Sequence, residues 1–578
     1  MKIKSYIHKI RIILGNKNQK QFYFLIIGLF FLSLLELIGL GSIPFFIVAL
    51  FDPENFLSFL NSFNYLNFLI DFFSENFILK YSFLIISIFL IKNIYYFYIV
   101  LMKSKFIKKV KIDLIDKLYT SYIGKEYIFH INNNPSKLVK NLNTEINRTV
   151  SSVSSLLSIF LELLITFLIF LVIFFSNPAI SISAVIFLSL ISLIYYFVIK
   201  EYSVKWGKNI SKYYGIFFKN LSETFGAIRE IKLSNKLENY KKIVMKNVNE
   251  MEQMNLNQTI LNSTPRIILE IIAVSSIVLI AMIMIYFDEN NNSNLALLSF
   301  VAISSIRLVP SITTISKSFN DMNYLNSSLD IIYNDITKNT NAAPTYYVKK
   351  KEKIIDFKNK LSIQNLSFGY DKSNVVLNNI NLEIDKGSTI SISGESGSGK
   401  TTLVNLITGL LKPDKGKILI DDFDIINNLS SFQSKIGYVA QDTYLLDDTI
   451  RENLTFLVND KTTISDKEIL DILKLVKLDK FLDTCQNGLD TIIGDRAVRV
   501  SGGQKQRISL ARTLMIKPEI LILDEATSAL DFENEELILD EIMRLYANKT
   551  IILITHRKNS LKYCDKNYSL IERKLTVS

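Results

Sequence analysis

Gly394-Glu395-Ser396-Gly397-Ser398-Gly399-Lys400-Thr401 follows the apolar run Ser388–Ser393 and opens a second apolar stretch from Thr402. A strand, a glycine-rich loop and a helix in that order make a phosphate-binding loop. The glycines let the backbone wrap closely around phosphate oxygens. The loop N–H groups and the helix N-terminus supply the positive potential. Lys400 is expected to reach the β- and γ-phosphates of a nucleotide, and the Thr401 hydroxyl to ligate Mg²⁺. A second apolar run, Ile520–Leu523, ends in Asp524 and Glu525. Two carboxylates at the end of a buried strand are costly without a cation or hydrogen-bond donors. Asp524 is therefore read as holding Mg²⁺ through water, and Glu525 as polarising the attacking water.

Between these lies Val500-Ser501-Gly502-Gly503-Gln504-Lys505-Gln506-Arg507. With it the stretch 361–578 resembles an ATP-binding cassette, an α/β P-loop domain. Ser501, Gly502, Gly503 and Gln504 match the family's signature, with Val500 where leucine is usual. Gln441 matches the Q-loop glutamine, Asp531 closes the D-loop match Ser528–Asp531, His556 matches the switch histidine, and Tyr370 the aromatic that stacks on adenine. The resemblance implies ATP and Mg²⁺ as ligands, with Thr401, Gln441 and Asp524 at the metal. It also implies Glu525 as general base, and His556 as the group that contacts the γ-phosphate. In that family the signature of one chain completes the ATP site of a second, so a homodimer with two competent sites is the expected assembly. Two departures stand out. Asp495-Arg496-Ala497 replaces the usual Glu-Arg-Gly, and the chain ends soon after Cys564-Asp565 where many exporters have a longer tail.

The first half reads differently. Apolar stretches of about 20 residues suit spanning helices, and six are expected, at about 22–50, 77–102, 153–176, 178–200, 264–287 and 295–315. These form a membrane domain over 1–336, joined to the cassette by a Lys/Asn-rich linker at 337–360. The first run is too long for a signal-peptide core and lacks a small-residue cleavage site. Lysines and arginines crowd the N-terminal segment and the connector after the second span. The loop between the first two spans carries only acidic charges. The positive-inside rule then places the N-terminus and the cassette on the cytoplasmic side, and the expected location is a bacterial inner membrane. The net charge of +11 is explained by this topology, so no nucleic-acid partner is inferred. Cys485 and Cys564 are the two cysteines, and without metal-ligand spacing they read as reduced thiols.

Connectors at 103–152 and 201–263 are longer than neighbouring helices need. They read as cytoplasmic extensions of the spans. Glu223–Lys232 is expected as a short helix docking on the ATPase, the alternative being a solvated helical hairpin. Three cations fall inside spans: Lys92, Arg266 and Arg307. Each lies about 20–35 Å below the outer end of its span at 1.5 Å per residue. Intramembrane charges are costly, and default to functional candidates. They form either a basic belt for an anionic headgroup or ion pairs, Arg266 with Glu270 and Lys92 with Glu36; Arg307 has no obvious local partner. The loop Phe51–Asn76 places apolar residues at helical spacing over Asn55–Phe73. It fits an interfacial helix or a cap on the bundle.

Together with Leu35–Leu40 and Pro44-Phe45-Phe46, these features resemble bacterial flippases for undecaprenyl-pyrophosphate-linked oligosaccharides, the PglK type. That resemblance implies an external helix on the polyprenyl tail and cavity cations, here Lys92, Arg266 and Arg307, on the pyrophosphate. A membrane glycolipid is then the expected cargo. Rivals are export of another lipid, a peptide or a drug, and an ATP-gated channel or regulatory protein. Intact Glu525 and His556 favour turnover over nucleotide sensing.

Overall fold

The computed structural model describes residues 3–51, 77–176, 178–287, 292–340, 355–371, 374–494, 500–526 and 532–577. The expected external helix, Asp495–Ala497 and Asp531 lie outside the described residues. The chain divides into two compact units. One holds residues 1–125 and 130–345, the other 126–129 and 346–578.

Six long helices build the first unit: α1 (Ile3–Phe51), α2 (Phe77–Ile123), α3 (Ile146–Ser176), α4 (Pro178–Gly226), α5 (Leu237–Phe287) and α6 (Asn292–Thr340). A helix of 49 residues, such as α1 or α4, is about 70 Å long. The hydrocarbon core is about 30 Å thick. The connectors are thus continuations of the spans, because nothing in the sequence interrupts the helical pattern at the bilayer edge. Among the described residues, three segments are long and apolar enough to cross a membrane: Lys4–Ile43, Leu79–Ile123 and Pro135–Val172. Along α1 and α2 large apolar side chains such as Phe24, Phe31, Phe83 and Ile94 stand exposed, a pattern suited to lipid rather than water.

The expected docking helix at 223–232 falls one step later. α4 runs to Gly226, and after Ala227 a short helix occupies Ile228–Leu233. Away from the spans, α4 and α6 approach closely. A Cβ on Gly207 would lie 2.0 Å from the Tyr324 carbonyl oxygen, so only glycine fits there. Ser203 and Ser327 donate to the Asn320 and Gly207 carbonyls across the same contact, at 2.9 and 2.8 Å.

A π-helical turn, Asn141–Glu145, precedes α3. It carries a buried ion pair, Lys140 Nζ to Glu145 Oε1 at 2.9 Å, with Ser211 Oγ donating to the same oxygen at 2.6 Å. Glu145 is fully buried. Removing its cation leaves a buried charge uncompensated, which costs roughly 3–5 kcal/mol. Lys140→Met is therefore expected to lower the thermal midpoint of the purified protein clearly. The double substitution Lys140→Met/Glu145→Leu should recover most of the loss. An unchanged midpoint in the single variant would show that the pair is not what holds this turn.

Among the described residues, the second unit contains two principal sheets and a two-stranded one that pairs β7 (Asp448–Thr449) with β8 (Ile492–Ile493). β1 (Lys360–Asp371), β2 (Asn374–Asp385), β4 (Lys415–Ile420) and β5 (Phe423–Asp424) form an antiparallel sheet in the order β2-β1-β4-β5. The larger sheet runs β12-β11-β3-β10-β9-β6, with β3 at Thr389–Ser393, β6 at Ile436–Val439 and β9 at Ile520–Asp524. β10 covers Thr550–Ile554, β11 Lys566–Ile571 and β12 Lys574–Val577. All of its pairings are parallel except β11 with β12. β11 and β12 follow Cys564, so the residues after that point complete the sheet.

Alternation along the central strands builds two cores. Ile520, Ile522, Ile552 and Ile554 pack with the phosphate-loop helix α7 (Lys400–Ile407) and the antiparallel sheet. Leu521, Leu523, Ile551 and Leu553 pack with α8 (Gly502–Met515) and α9 (Phe532–Leu545). Strands covered on both faces read as continuous apolar runs, which is why β9 and β10 carry no polar alternation. Burial against the second core pushes the Cys564 thiol up to about 11. At pH 8 its thiolate fraction is about a hundredfold below that of a free cysteine. Iodoacetamide is expected to label Cys564 correspondingly slowly in the folded protein and at a normal rate in denaturant, by mass spectrometry.

Candidate nucleotide site and intramembrane charges

The phosphate loop takes its shape from three glycines with positive φ: Gly394 at 152°, Gly397 at 83° and Gly399 at 107°. A Cβ on Gly394 would lie 2.7 Å from the Leu570 carbonyl oxygen, so the loop needs glycine there. Around Gly397 nothing among the described residues lies within 4 Å of an added Cβ, leaving a clear approach to the backbone. Lys400 is buried and donates to the Gly394 and Glu395 carbonyls at 2.7 and 2.9 Å, spanning the loop. Burial lowers its pKa, opposed by Glu525 and Asp524. Ser398 Oγ is buried with no hydrogen-bond partner among the described residues. Such an orphan needs a ligand or water. Thr401 is exposed at the start of α7, and Thr402 is buried behind it.

Tyr370, 38% exposed, packs edge-on against Phe368 with centroids 5.2 Å apart. Its hydroxyl lies 3.2 Å from Thr402 Oγ1. This fixes an aromatic face beside the loop while leaving much of it open.

Asp524 ends β9 in a buried position, and burial raises its carboxyl pKa; Tyr438 and Lys400 oppose the shift and Glu525 adds to it. Glu525 leaves the strand with φ 48°, and its N–H donates to the Ile554 carbonyl at 3.0 Å. A non-glycine residue in that region is locally strained, and it turns this carboxylate away from its neighbour's course. Glu525 Oε1 lies 3.1 Å from His556 Nε2, and Gln441 Nε2 donates to Glu525 Oε2 at 2.6 Å. Gln441 thus spends its amide NH₂ group, not its carbonyl oxygen, on Glu525. Its NH₂ group is drawn to the nearest carboxylate, and its carbonyl oxygen is the atom left for a cation. Ser501 caps α8 through a reciprocal box: Gln504 N–H donates to Ser501 Oγ at 3.2 Å, and Ser501 N–H to Gln504 Oε1 at 2.7 Å. Ser501 and Gly502 remain exposed. Phosphate loop, paired carboxylates, Gln441 and His556 stand in one domain, with the motif spacing read above.

Residues 377–528 match the ABC transporter family model. Over the whole chain the fold is similar to the solved structure of a bacterial Atm1-family ABC exporter with ATP bound, with a TM-score of 0.78 at 19% identity, covering 96% of this chain and 94% of that one. The chain thus has the ABC exporter fold, a helical membrane domain followed by an α/β nucleotide-binding domain. Among curated relatives, it is 37% identical over 294 residues to a heterocyst differentiation ATP-binding protein, HepA, of a Nostoc species, covering 51% of this chain and 47% of that protein. It is 41% identical over 210 residues to an uncharacterised ABC transporter ATP-binding protein, YwjA, of Bacillus subtilis, and 40% identical over 209 to a putative multidrug export ATP-binding/permease protein of Staphylococcus aureus. The chain spans about half the length of the first of these relatives and about a third of the others (36% each).

In the membrane unit one of the two expected ion pairs is present, Lys92 with Glu36, and Arg266 with Glu270 is not found among the described residues. Arg307, without a local partner, finds two on other helices: its Nε lies 2.9 Å from Glu36 Oε1 and its Nη2 3.5 Å from Glu162 Oε2. The Nε–H is not aimed at the oxygen, so the contact is electrostatic rather than a hydrogen bond. Lys92 Nζ lies 3.2 Å from Glu36 Oε2. Four helices, α1, α2, α3 and α6, thereby contribute two acids and two bases to one partly buried cluster. Helical spacing within one element could not reveal this, because the partners come from different helices. Glu162 went unremarked in the sequence, although it is the one acid in the apolar run 153–176. Arg266 and Glu270 are both exposed on α5 and form no ion pair among the described residues.

Proposed function

We propose that this chain is the subunit of an ATP-driven exporter that works as a pair of identical chains in a bacterial inner membrane. The observation that carries the reading is the convergence of His556 and Gln441 on Glu525 beside Asp524 and a glycine-rich loop spanned by Lys400. The site fits Mg-ATP: it has an orphaned Ser398 hydroxyl, an open backbone at Gly397 and adjacent acids. Thr401 and Asp524 would hold Mg²⁺, with the Gln441 carbonyl oxygen as a further ligand, and the ion would neutralise phosphate charge. The loop N–H groups and Lys400 bind and orient the phosphates, and Tyr370 presents its ring to the base. Glu525 accepts the proton of the attacking water, oriented by Gln441 and His556. Phosphoryl transfer depends mainly on such positioning and charge stabilisation. The exposed, capped start of α8 supports completion of a second chain's site by Ser501–Gln504, together with Asp531.

The cargo we infer is an anionic amphipath, best fitted by a polyprenyl-pyrophosphate-linked oligosaccharide moved from the inner to the outer leaflet. Arg307, with Lys92, supports it: a guanidinium held by two carboxylates inside the membrane can be transferred to a pyrophosphate that outcompetes them. Arg266, exposed and unpaired among the described residues, is a further candidate contact. Because the cluster carries equal numbers of acids and bases, a second reading is an uncharged or zwitterionic drug-like amphipath, in line with the name of the Staphylococcus aureus relative. Reconstituted flipping of each lipid class by the purified protein decides between them. Stimulation of ATP turnover by the pyrophosphate lipid supports the first, and stimulation only by neutral amphipaths overturns it.

A further inference from the structure

β6 is the edge strand beside β9, in parallel register with Tyr438 opposite Ile522. Side chains two residues apart on a strand share a face. Asp524 therefore lies on the same face as Ile520 and Ile522, the face packed on the phosphate-loop helix. Tyr438 shares that face, and its ring packs against the same core. From its register position the phenol is long enough to reach diagonally to Asp524. Tyr438 Oη donates to Asp524 Oδ2 at 3.1 Å. Among the described residues this is the one hydrogen bond made to that carboxylate, and it leaves Oδ1 without a protein donor. The tyrosine backbone lies close to α8: Thr513 Oγ1 is 3.3 Å from its carbonyl and 3.0 Å from the Ser509 carbonyl, which share its one proton. The preceding Gly437 lies so close to α8 that an added Cβ would come within 2.6 Å of Thr513 Cγ2.

We propose that Tyr438 is a positioning residue for Asp524: its hydroxyl ties down Oδ2 so that Oδ1 is presented to the divalent cation that accompanies ATP. The role rests on the ATPase reading above. Nothing in the phosphate-loop or signature motifs calls for a hydroxyl here, and an apolar residue would complete the core equally well. Losing the bond frees the carboxylate to rotate and leaves it desolvated, so the effect should fall on the cation and not on the nucleotide alone.

The test uses full-length protein in detergent or nanodiscs, with a fluorescent ATP analogue titrated with Mg²⁺ and, in parallel, in EDTA. Tyr438→Phe keeps the ring and removes the donor. It is expected to raise the Mg²⁺ concentration for half-maximal nucleotide binding about tenfold, the scale of one hydrogen bond to a charged group. Affinity in EDTA and the thermal midpoint should stay within about twofold and a degree or two of wild type. ATP turnover should show the same split, with the Mg²⁺ requirement raised and the rate at saturating Mg²⁺ largely kept. Manganese binding followed by electron paramagnetic resonance gives a readout independent of turnover, and Asp524→Asn sets the size of complete loss. An unshifted Mg²⁺ requirement in Tyr438→Phe, or an equal loss in Mg²⁺ and EDTA, overturns the assignment. Failure of the wild-type protein to bind the analogue at all would instead sink the ATPase reading.

Discussion

Glu525→Gln is expected to cut phosphate release at least about a hundredfold while ATP still binds, because general-base catalysis contributes roughly 10²–10⁴. The substitution is nearly isosteric. It keeps an oxygen within reach of the Gln441 amide, now 2.6 Å from the carboxylate, and of His556 at 3.1 Å. What disappears is the negative charge that takes the proton of water. The left-handed backbone at Glu525 and its N–H bond to Ile554 hold the side chain in place, so the variant should fold and bind normally. Measuring phosphate release and nucleotide binding on the same preparation separates the two effects. Full turnover in the glutamine variant would remove Glu525 from the role of base.

Arg307→Ala is expected to lower flipping of a polyprenyl-pyrophosphate oligosaccharide by tenfold or more, with ATP turnover in the absence of lipid largely retained. The difficulty is that Arg307 also balances Glu36 and Glu162, so the alanine variant leaves a partly buried acid uncompensated. Replacing both members of a buried pair by neutral groups of similar volume is often close to neutral for stability. Arg307→Met/Glu162→Gln therefore provides the decisive comparison. A structural ion pair predicts that this double variant assembles and transports like wild type. A headgroup contact predicts normal assembly with flipping still lost. Wild-type flipping in Arg307→Ala itself would end the headgroup assignment.

The nucleotide-binding half was legible because its chemistry is local. A phosphate loop is a contiguous strand, loop and helix, and its glycines are demanded by backbone conformations that other residues adopt at a cost. Lys400, Asp524, Glu525 and His556 were singled out in this way, each at the end of an apolar strand or the start of a helix. Gln441 was found by the same motif logic, yet its bond to Glu525 was not foreseen, because the partner lies on another strand. Tyr438 was missed for a related reason: a tyrosine in an apolar strand reads as core until the neighbouring strand is known.

The membrane half was legible as helices and opaque as a site. Hydropathy alone located the apolar runs, since a spanning segment must satisfy its backbone internally and present apolar side chains to lipid. Lys92, Arg266 and Arg307 were marked as costly for the same reason, with pairing of Lys92 to Glu36 as one of two readings. Only packing shows that Arg307 joins Glu36 and Glu162.

By itself, then, the sequence determined the two-part architecture, the phosphate loop, and the acids and histidine around it. Those properties follow from hydrophobic periodicity, backbone conformation and contiguous motifs. Tertiary structure decided which charges are neutralised, how Glu525 is oriented, and which hydroxyl steadies Asp524. Each is a contact between side chains far apart in the chain, with a geometry set by strand register and helix packing that no local pattern encodes.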